Sequence, residues 1–319
     1  RRGPIQDRPL PGSAQPSSRI THHVLLSMTL LLFRLARWLV PRVPVSFAYR
    51  LAEIGGDLLW LVARGWRADI EHNQWRAIGP GATRRRVALN SRQVLRNLAR
   101  LYVDEFRVPT LTGEALWEVV DVRGLEYVTA ALSEGHGMIL ASAHYGAPQL
   151  VAQSLAVRGY PLTVPVEQLE PEALFRLMCE LRSSHGIRLM PVGQPLIPLL
   201  RTLRKENGIV ALALDRNLTG TGICLPFLGE PTLMPDGAVR LALRARVPIV
   251  VGWCRRAAGN RYEARLEPVD LPEEMADVEE AAREAMARVV ARLESFIRAE
   301  PEQWLLTVPL WKDSCEGPE

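Results

Sequence analysis

The sequence contains almost no lysine, although it is rich in positive charge. Its 319 residues carry a formal net charge of +4 and have a pI of about 9.1, yet lysine occurs only at Lys205 and Lys312. Arginine supplies the rest, a bias that a GC-rich genome explains without any polyanion. Because nucleic-acid-binding motifs and alternating aromatic and basic residues are absent too, we expect no nucleic-acid partner.

Cysteine and histidine are sparse as well, and neither forms a cluster. The four cysteines are Cys179, Cys224, Cys254 and Cys315. They stand far apart and lack histidines at ligand spacing, which argues against a zinc site and against a disulfide scaffold. A reducing, cytosol-facing environment fits this pattern best.

No apolar run is long and uninterrupted enough to predict a membrane-spanning helix. The first such run, residues 24–33, is followed by Arg34 and Arg37. An arginine at the centre of a spanning helix costs about 2.5–3.5 kcal/mol on insertion scales, so the segment indicates a helix lying in the membrane interface. It is not a secretory signal, because no small-residue cleavage site follows it.

The first third of the chain otherwise has a helical pattern. Residues 1–20 are rich in Pro, Ser, Gly and Arg and predict a disordered arm, whereas residues 47–66 are apolar with interspersed tryptophan and arginine, as in interfacial helices. We expect residues 21–108 to be a helical membrane-associating segment, attached peripherally or by a single N-terminal anchor. The alternative is a pair of core-packing helices with surface arginines.

The hydrophobic period changes after residue 108. Short apolar runs alternate with helical stretches, which predicts βαβ units and a mostly parallel sheet flanked by helices, an α/β core over residues 109–313 before a tail at 314–319. Predicted strands lie at 138–143, 162–166, 187–190, 209–214, 247–253 and 262–266, and predicted helices at 125–133, 148–157, 171–184, 195–206, 237–245 and 273–299. The long segment 215–236 is predicted as a loop, and loops of that length are usually functional.

His144 is the candidate catalytic residue. It follows the predicted strand 138–143, and Gly146 and Pro148 then permit a tight turn into a helix. This layout puts a histidine at the carboxyl edge of a parallel sheet, where such folds place their chemistry. The partner expected in the first helical turn is not a carboxylate but Gln149, so Glu167 or Asp215, each directly after a strand, is needed as a substitute.

Two other enzyme classes fit the sequence poorly. Ser142 lies two residues before His144, but no GxSxG elbow exists to make it a hydrolase nucleophile. No GxGxxG follows a strand either, which disfavours a dinucleotide enzyme.

The motif His144-Tyr-Gly-Ala-Pro-Gln149 resembles the HxxxxD/E motif of the lysophospholipid acyltransferase superfamily. The resemblance extends to its bacterial branch of lipid A biosynthesis lauroyl and myristoyl acyltransferases and phosphatidylinositol mannoside acyltransferases, and covers about residues 24–312. The further blocks that carry it are EGHGMILASA (134–143), LRSSHG (181–186), DRNLTGTG (215–222), PFLGEP (226–231), MP (234–235), PEQW (301–304) and WK (311–312).

The resemblance implies transfer of a fatty acyl chain from acyl-CoA or acyl-carrier protein to a hydroxyl of a lipid or glycolipid, at the cytosolic face of the plasma (inner) membrane. It implies no metal and no cofactor beyond this co-substrate. His144 would be the base and Arg182 and Arg216 would bind phosphate, with Tyr145 and Gly146 completing the substrate-binding set.

Gln149 departs from the family pattern. A carboxylate orients the imidazole and also stabilises the imidazolium, whereas an amide does only the first, and loss of that charge in a serine protease triad lowers turnover by about 10⁴. The alternative function is therefore a catalytically impaired lipid-binding relative.

Overall fold

Four long helices form the first part of the computed structural model, which describes residues 16–272, 277–312 and 315. They are α1 (Pro16–Leu39), α2 (Val45–Val62), α3 (Arg64–Ile78) and α4 (Arg84–Arg107). The first helix begins inside the segment predicted to be a disordered arm, and residues 1–15 lie outside the described part. No helix within the described residues is both long and apolar enough to cross a membrane.

Helix α4 organises this helical segment. The Thr83 side chain caps it by accepting a hydrogen bond from the Arg86 N–H at 3.2 Å, so Arg84–Arg86 form its first turn. Gly56 of α2 packs directly on α4, where an added Cβ would lie 2.8 Å from Arg96 Cα. A side chain there would therefore separate the two helices.

A seven-stranded sheet forms the rest of the fold, with strand order β1-β9-β8-β2-β5-β3-β4. All neighbours pair in parallel except β8 and β9. This confirms the predicted α/β fold with a mostly parallel sheet. The strands are β1 (Val120–Arg123), β2 (Met138–Ser142), β3 (Leu162–Val166), β4 (Arg188–Pro191), β5 (Ile209–Ala213), β8 (Ile249–Arg256) and β9 (Tyr262–Val269).

Helices cover both faces of this sheet. Alternate side chains of β2 enter opposite cores: Ile139 and Ala141 pack on one face, Met138 and Leu140 on the other. The helices are α5 (Gly113–Val119), α6 (Leu125–Ser133), α7 (Pro148–Ala156), α8 (Glu172–Arg182), α9 (Ile197–Lys205), α10 (Gly237–Ala245) and α11 (Val278–Ala299). The predicted start of the last helix, residues 273–276, lies outside the described residues.

The strand order reverses around β2, which lies between β5 and β8. Chain connections leave β2 towards one side of the sheet and later return to its other side, and such a switch point opens a crevice at the carboxyl end of the strand. His144 follows β2 at that end.

The segment 215–236 is predicted to be a loop, but it contains an antiparallel hairpin of β6 (Ile223–Phe227) and β7 (Glu230–Met234). Pro226 and Pro231 face each other in it. Proline reads as a strand breaker because it lacks an N–H, yet a two-stranded hairpin leaves outer edges where no donor is needed. Strand β1 was also not predicted, since its four residues VDVR carry only two apolar side chains.

Cys224 of β6 and Cys315 form a disulfide, with an S–S distance of 2.04 Å and Cα atoms 5.7 Å apart. The prediction that the cysteines form no disulfide is therefore wrong. The two residues are 91 positions apart, and spacing alone does not reveal such a pairing. The cysteine pattern consequently no longer argues for a reducing environment.

Candidate active site

His144 lies at the mouth of the crevice, in a turn fixed by the residue two positions later. Gly146 has φ +59°, and a Cβ on it would lie 1.8 Å from the carbonyl oxygen of Cys254 on β8. The Ala147 N–H donates to that same oxygen at 3.1 Å, and Pro148 then begins α7. This turn leaves the His144 side chain 48% exposed while its neighbours are buried.

Asp215 is the partner of His144. Its Oδ1 lies 2.8 Å from the His144 Nδ1, and its Oδ2 accepts the His144 backbone N–H at 3.0 Å. Asp215 follows β5, which neighbours β2, so the two residues meet where parallel strands end side by side. The Asp215 side chain is fully buried, and the Nε2 edge of His144 is left for a substrate.

The segment 301–306 supports this pair from behind. Trp304 Nε1 donates to Asp215 Oδ2 at 2.7 Å, and the Leu305 N–H donates to the His144 carbonyl at 2.7 Å. The Gln303 carbonyl accepts the Gly146 N–H at 2.7 Å. The sequence marks PEQW only as a block of similarity and offers no signal for these hydrogen bonds, because their partners lie far apart in the chain, 89 positions in the case of Trp304 and Asp215.

The electrostatics follow from this buried pair. The Asp215 carboxylate raises the pKa of His144 above its usual value, against the effects of burial and of the Arg216 and Arg182 charges. Burial opposes ionisation of Asp215, but the attraction of His144 and the hydrogen bonds from His144 and Trp304 hold its pKa below the usual value. The pair is thus suited to accept a proton at the ring.

Gln149 does not orient His144. It lies in the first turn of α7, and its amide nitrogen is buried without an acceptor in the part of the chain that the structure describes. A residue in that turn need not face the histidine when a carboxylate from the adjacent strand already contacts the ring. Asp215 therefore occupies the place that the sequence assigns to residue 149.

Glu167, the other candidate substitute, pairs with an arginine instead. Arg216 donates from Nη1 to Glu167 Oε2 at 2.5 Å and from Nη2 to Oε1 at 3.2 Å, across the ends of β5 and β3. Both side chains are partly exposed beside the His144–Asp215 pair.

Arg182, at the end of α8, is a second cation near His144. Its Nε donates to Glu105 Oε1 of α4 at 3.0 Å. Glu105 is a residue that the sequence analysis missed, because a single acidic residue in a helix rich in arginine has no distinguishing pattern.

The sequence places Tyr145 and Gly146 in the substrate-binding set, but neither presents a side chain to a substrate. Tyr145 is buried against Phe296 and Trp253, with ring centroids 4.9 and 6.4 Å away. Gly146 serves the turn. Both were assigned to the site by adjacency to His144, but alternate residues in this turn point into the core.

The site therefore combines a partly exposed imidazole, a buried carboxylate behind it and two arginines beside it. This arrangement can remove a proton from a hydroxyl group while binding an anionic group nearby. Among the described residues, no group of three or more His, Cys, Asp or Glu side chains is arranged to hold a metal ion.

Comparisons with known proteins give the family of the chain. A family model described as "Bacterial lipid A biosynthesis acyltransferase" matches residues 15–313. A phosphatidylinositol mannoside acyltransferase of Mycobacterium tuberculosis H37Rv is 28% identical over 286 residues, 86% of each chain. One of Mycolicibacterium smegmatis is 28% identical over 223 residues, which cover 69% of this chain and 71% of the relative.

Proposed function

Since the chain belongs to the bacterial lipid A biosynthesis acyltransferase family, we propose that it transfers a fatty acyl chain from a thioester to a hydroxyl group of a membrane lipid or glycolipid. The thioester is acyl-CoA or acyl-carrier protein. The observation that carries this proposal is the contact between His144 Nδ1 and Asp215 Oδ1, which makes the ring a base. No acyl-enzyme is needed, because the acceptor oxygen is itself the nucleophile.

In the proposed reaction His144 Nε2 takes the proton of the acceptor hydroxyl as its oxygen attacks the thioester carbonyl. A carbon–oxygen bond forms and the carbon–sulfur bond breaks, and the imidazolium returns the proton to the leaving thiolate. Asp215 stabilises the imidazolium between these two steps. Three hydrogen bonds hold this carboxylate in place and, with the attraction of His144, keep it ionised against the effect of burial.

For the acceptor we propose a glycolipid with a phosphate in its headgroup, as the names of the mycobacterial relatives suggest. Arg182 and Arg216 each have a side chain about one third exposed, 36% and 33% respectively. Each already shares its charge with one carboxylate, and an arginine fork has donors left for phosphate oxygens. A phosphate of the donor is the other candidate for one of the two arginines.

For the location we propose the cytosolic face of the plasma (inner) membrane, with the helical segment lying on the bilayer. Helices α1 and α2 expose many large apolar side chains: Met28, Leu31, Leu32, Leu35, Trp38, Leu39, Phe47, Leu51, Ile54, Leu58, Leu59, Leu61 and Val62. Arginine lies among them, and the Arg42 guanidinium lies 4.6 Å from the Trp38 ring centre. Apolar faces with arginine and tryptophan are typical of interfacial binding.

The alternative of a lipid-binding protein without catalysis loses its main support. That hypothesis depended on Gln149 in place of an acidic residue, whereas Asp215 provides the carboxylate from a different strand. An active enzyme is therefore the better supported function.

The test is an acyl-transfer assay in detergent, with mixed acyl-CoAs and acyl-carrier proteins over total bacterial lipid, read by mass spectrometry. We expect an acylated lipid product that is lost in His144→Ala. His136→Ala is the matched control, since His136 is an exposed histidine outside the site and its loss should leave the product unchanged.

If the native protein binds the lipid but yields no acylated product, the result would support the non-catalytic alternative. Equal loss in both histidine variants would show that the assay reports folding and not chemistry.

A further inference from the structure

Helix α4 contributes two adjacent buried carboxylates, Asp104 and Glu105, to the carboxyl edge of the sheet. Each is held by an arginine from the α/β core: Arg256 at the end of β8 donates to Asp104, and Arg182 at the end of α8 donates to Glu105. Buried carboxylates are rare in helices unless they are paired. The helical segment is therefore joined to the core by charges as well as by apolar packing.

Asp104 holds α4 in one position. It accepts hydrogen bonds from Tyr49, Tyr262 and Arg256, the last at 2.5 Å. The Arg256 guanidinium also lies 4.6 Å and 4.7 Å from the ring centres of these two tyrosines. A carboxylate with three donors cannot rotate without losing several of them, so its neighbour Glu105 is fixed as well.

Glu105 contacts only one edge of Arg182. Both Nε and Nη2 of Arg182 lie 3.0 Å from the same oxygen, Glu105 Oε1. The third nitrogen, Nη1, meets no acceptor within residues 16–272, 277–312 and 315, and the Arg182 side chain is 36% exposed. Glu105, in contrast, is only 5% exposed, so it faces Arg182 and not the solvent.

The Arg182 edge opposite Glu105 is therefore the one left for an anion, and the Arg182 charge is one of those that act on His144. We propose that Glu105 is a positioning residue of the active site: it fixes the guanidinium of Arg182 by one edge and so turns the opposite edge towards an anionic group of the substrate at His144. This inference depends on the proposed acyl transfer only for the identity of the substrate.

The proposal explains why a carboxylate is buried at residue 105. A buried ion pair contributes little net stability, and apolar residues of similar size often replace one without loss. A fixed guanidinium, however, binds an anion without first losing rotamer freedom. The pair is thus better explained by orientation of Arg182 than by stability of the fold.

The central variant is Glu105→Gln, which keeps the size and one hydrogen-bond acceptor but removes the charge. We expect the KM for the acceptor lipid to rise about tenfold or more while kcat changes less than about threefold, since ground-state positioning is lost and the base is intact. Glu105→Asp should recover part of this loss. Glu180→Gln is the matched control. Glu180 also lies on α8, but it pairs with Arg37, at a distance of 2.5 Å, outside the site.

A second measurement does not need activity. Three charged groups act on His144: Asp215 and Arg216 from the end of β5, and Arg182 from α8. Removal of the Glu105 charge leaves Arg182 unneutralised, so the His144 ring should titrate at lower pH in Glu105→Gln, as followed by NMR with labelled histidine. Inorganic phosphate bound at Arg182 should raise the pH at which His144 titrates in the native protein, and this shift should be smaller in Arg182→Lys.

The outcomes separate the two proposals. An unchanged KM and an unchanged His144 titration in a folded Glu105→Gln protein would overturn the positioning role, whatever the reaction. A native protein that makes no product, but whose His144 titration shifts as expected in Glu105→Gln, would overturn the acyl transfer and leave the positioning role standing.

Discussion

The backbone N–H and the Nδ1 of His144 contact the two different oxygens of one carboxylate, that of Asp215. The residues come from neighbouring parallel strands, and the double contact fixes both the main chain and the ring of the histidine. Trp304 occupies a further lone pair of the same carboxylate. The pair is thus preorganised before any substrate arrives.

Asp215→Asn should reduce kcat by about 10² to 10⁴, because the amide no longer stabilises the imidazolium. The measurement is the single-turnover rate with saturating acyl donor. Gln149→Met serves as the comparison and should stay within about twofold of the native rate. Similar losses in both variants would mean that residue 149, and not Asp215, assists the base.

The pH dependence follows from the raised pKa of His144. The ring must be neutral to act as a base, so kcat/KM should fall as the pH drops through a value above the ordinary histidine pKa of about 6.5. Asp215→Asn should move this acid limb to lower pH.

The contribution of His144 to the free energy of unfolding has the opposite pH dependence. It is complete below the pKa of the histidine in the unfolded chain, and it is lost as the pH rises through the raised pKa of His144 in the folded protein. Urea unfolding across the same pH range measures it.

Gln149→Met should stabilise the protein by about 1–3 kcal/mol, because it removes a buried amide nitrogen that has no acceptor. Chemical denaturation measures the change in the free energy of unfolding.

Gln149→Glu should bring no gain in activity, since Asp215 already contacts the ring. A large activation by Gln149→Glu would contradict the assignment of Asp215 as the partner.

Trp304→Phe should raise the pKa of Asp215, because it removes the Nε1 donor that helps to hold the carboxylate ionised. Loss of a hydrogen bond to a charged group is about 1.5–3 kcal/mol, so we expect kcat to fall about tenfold to a hundredfold. Stability should also be lost at a higher pH on acidification, as circular dichroism can follow. Trp311→Phe, which removes a 2.8 Å donor to Thr232, is the control and should spare kcat.

Gly146→Ala should destabilise the fold by several kcal/mol, since the new Cβ would overlap the Cys254 carbonyl and the backbone has a positive φ. Thermal unfolding checks this. At Gly237, the first residue of α10, a Cβ would meet nothing within 4 Å, so Gly237→Ala should be neutral or slightly stabilising.

Elements with strong hydrophobic periodicity are predictable from the sequence. The strand at Leu162–Val166 and the helix at Gly237–Ala245 have the predicted bounds, because each is an apolar pattern with clear breakers on both sides. Strands whose pattern is short or interrupted are missed, as with β1 and the hairpin with Pro226 and Pro231. Such strands are stabilised by their neighbours in space, which local sequence does not specify.

The sequence predicts which residues belong to the site but not which of them contact each other. His144 was identified from its turn, and Asp215 was one of two substitutes because both follow strands. Which of them contacts the ring depends on strand order: β5 is hydrogen-bonded to β2, whereas β3 is one strand further away. Glu105 and Trp304 depend on long-range packing and leave no local signal.

The dependence of His144 on residues 301–306 also has a consequence for biosynthesis. The ribosome delivers the histidine first, then Asp215, and Trp304 and Leu305 only much later. A nascent chain thus holds its reactive ring before it holds the segment that fixes the ring, and it cannot assemble a competent site until both β5 and that segment have emerged. The complete hydrogen-bonded site can therefore form only late in synthesis of the chain.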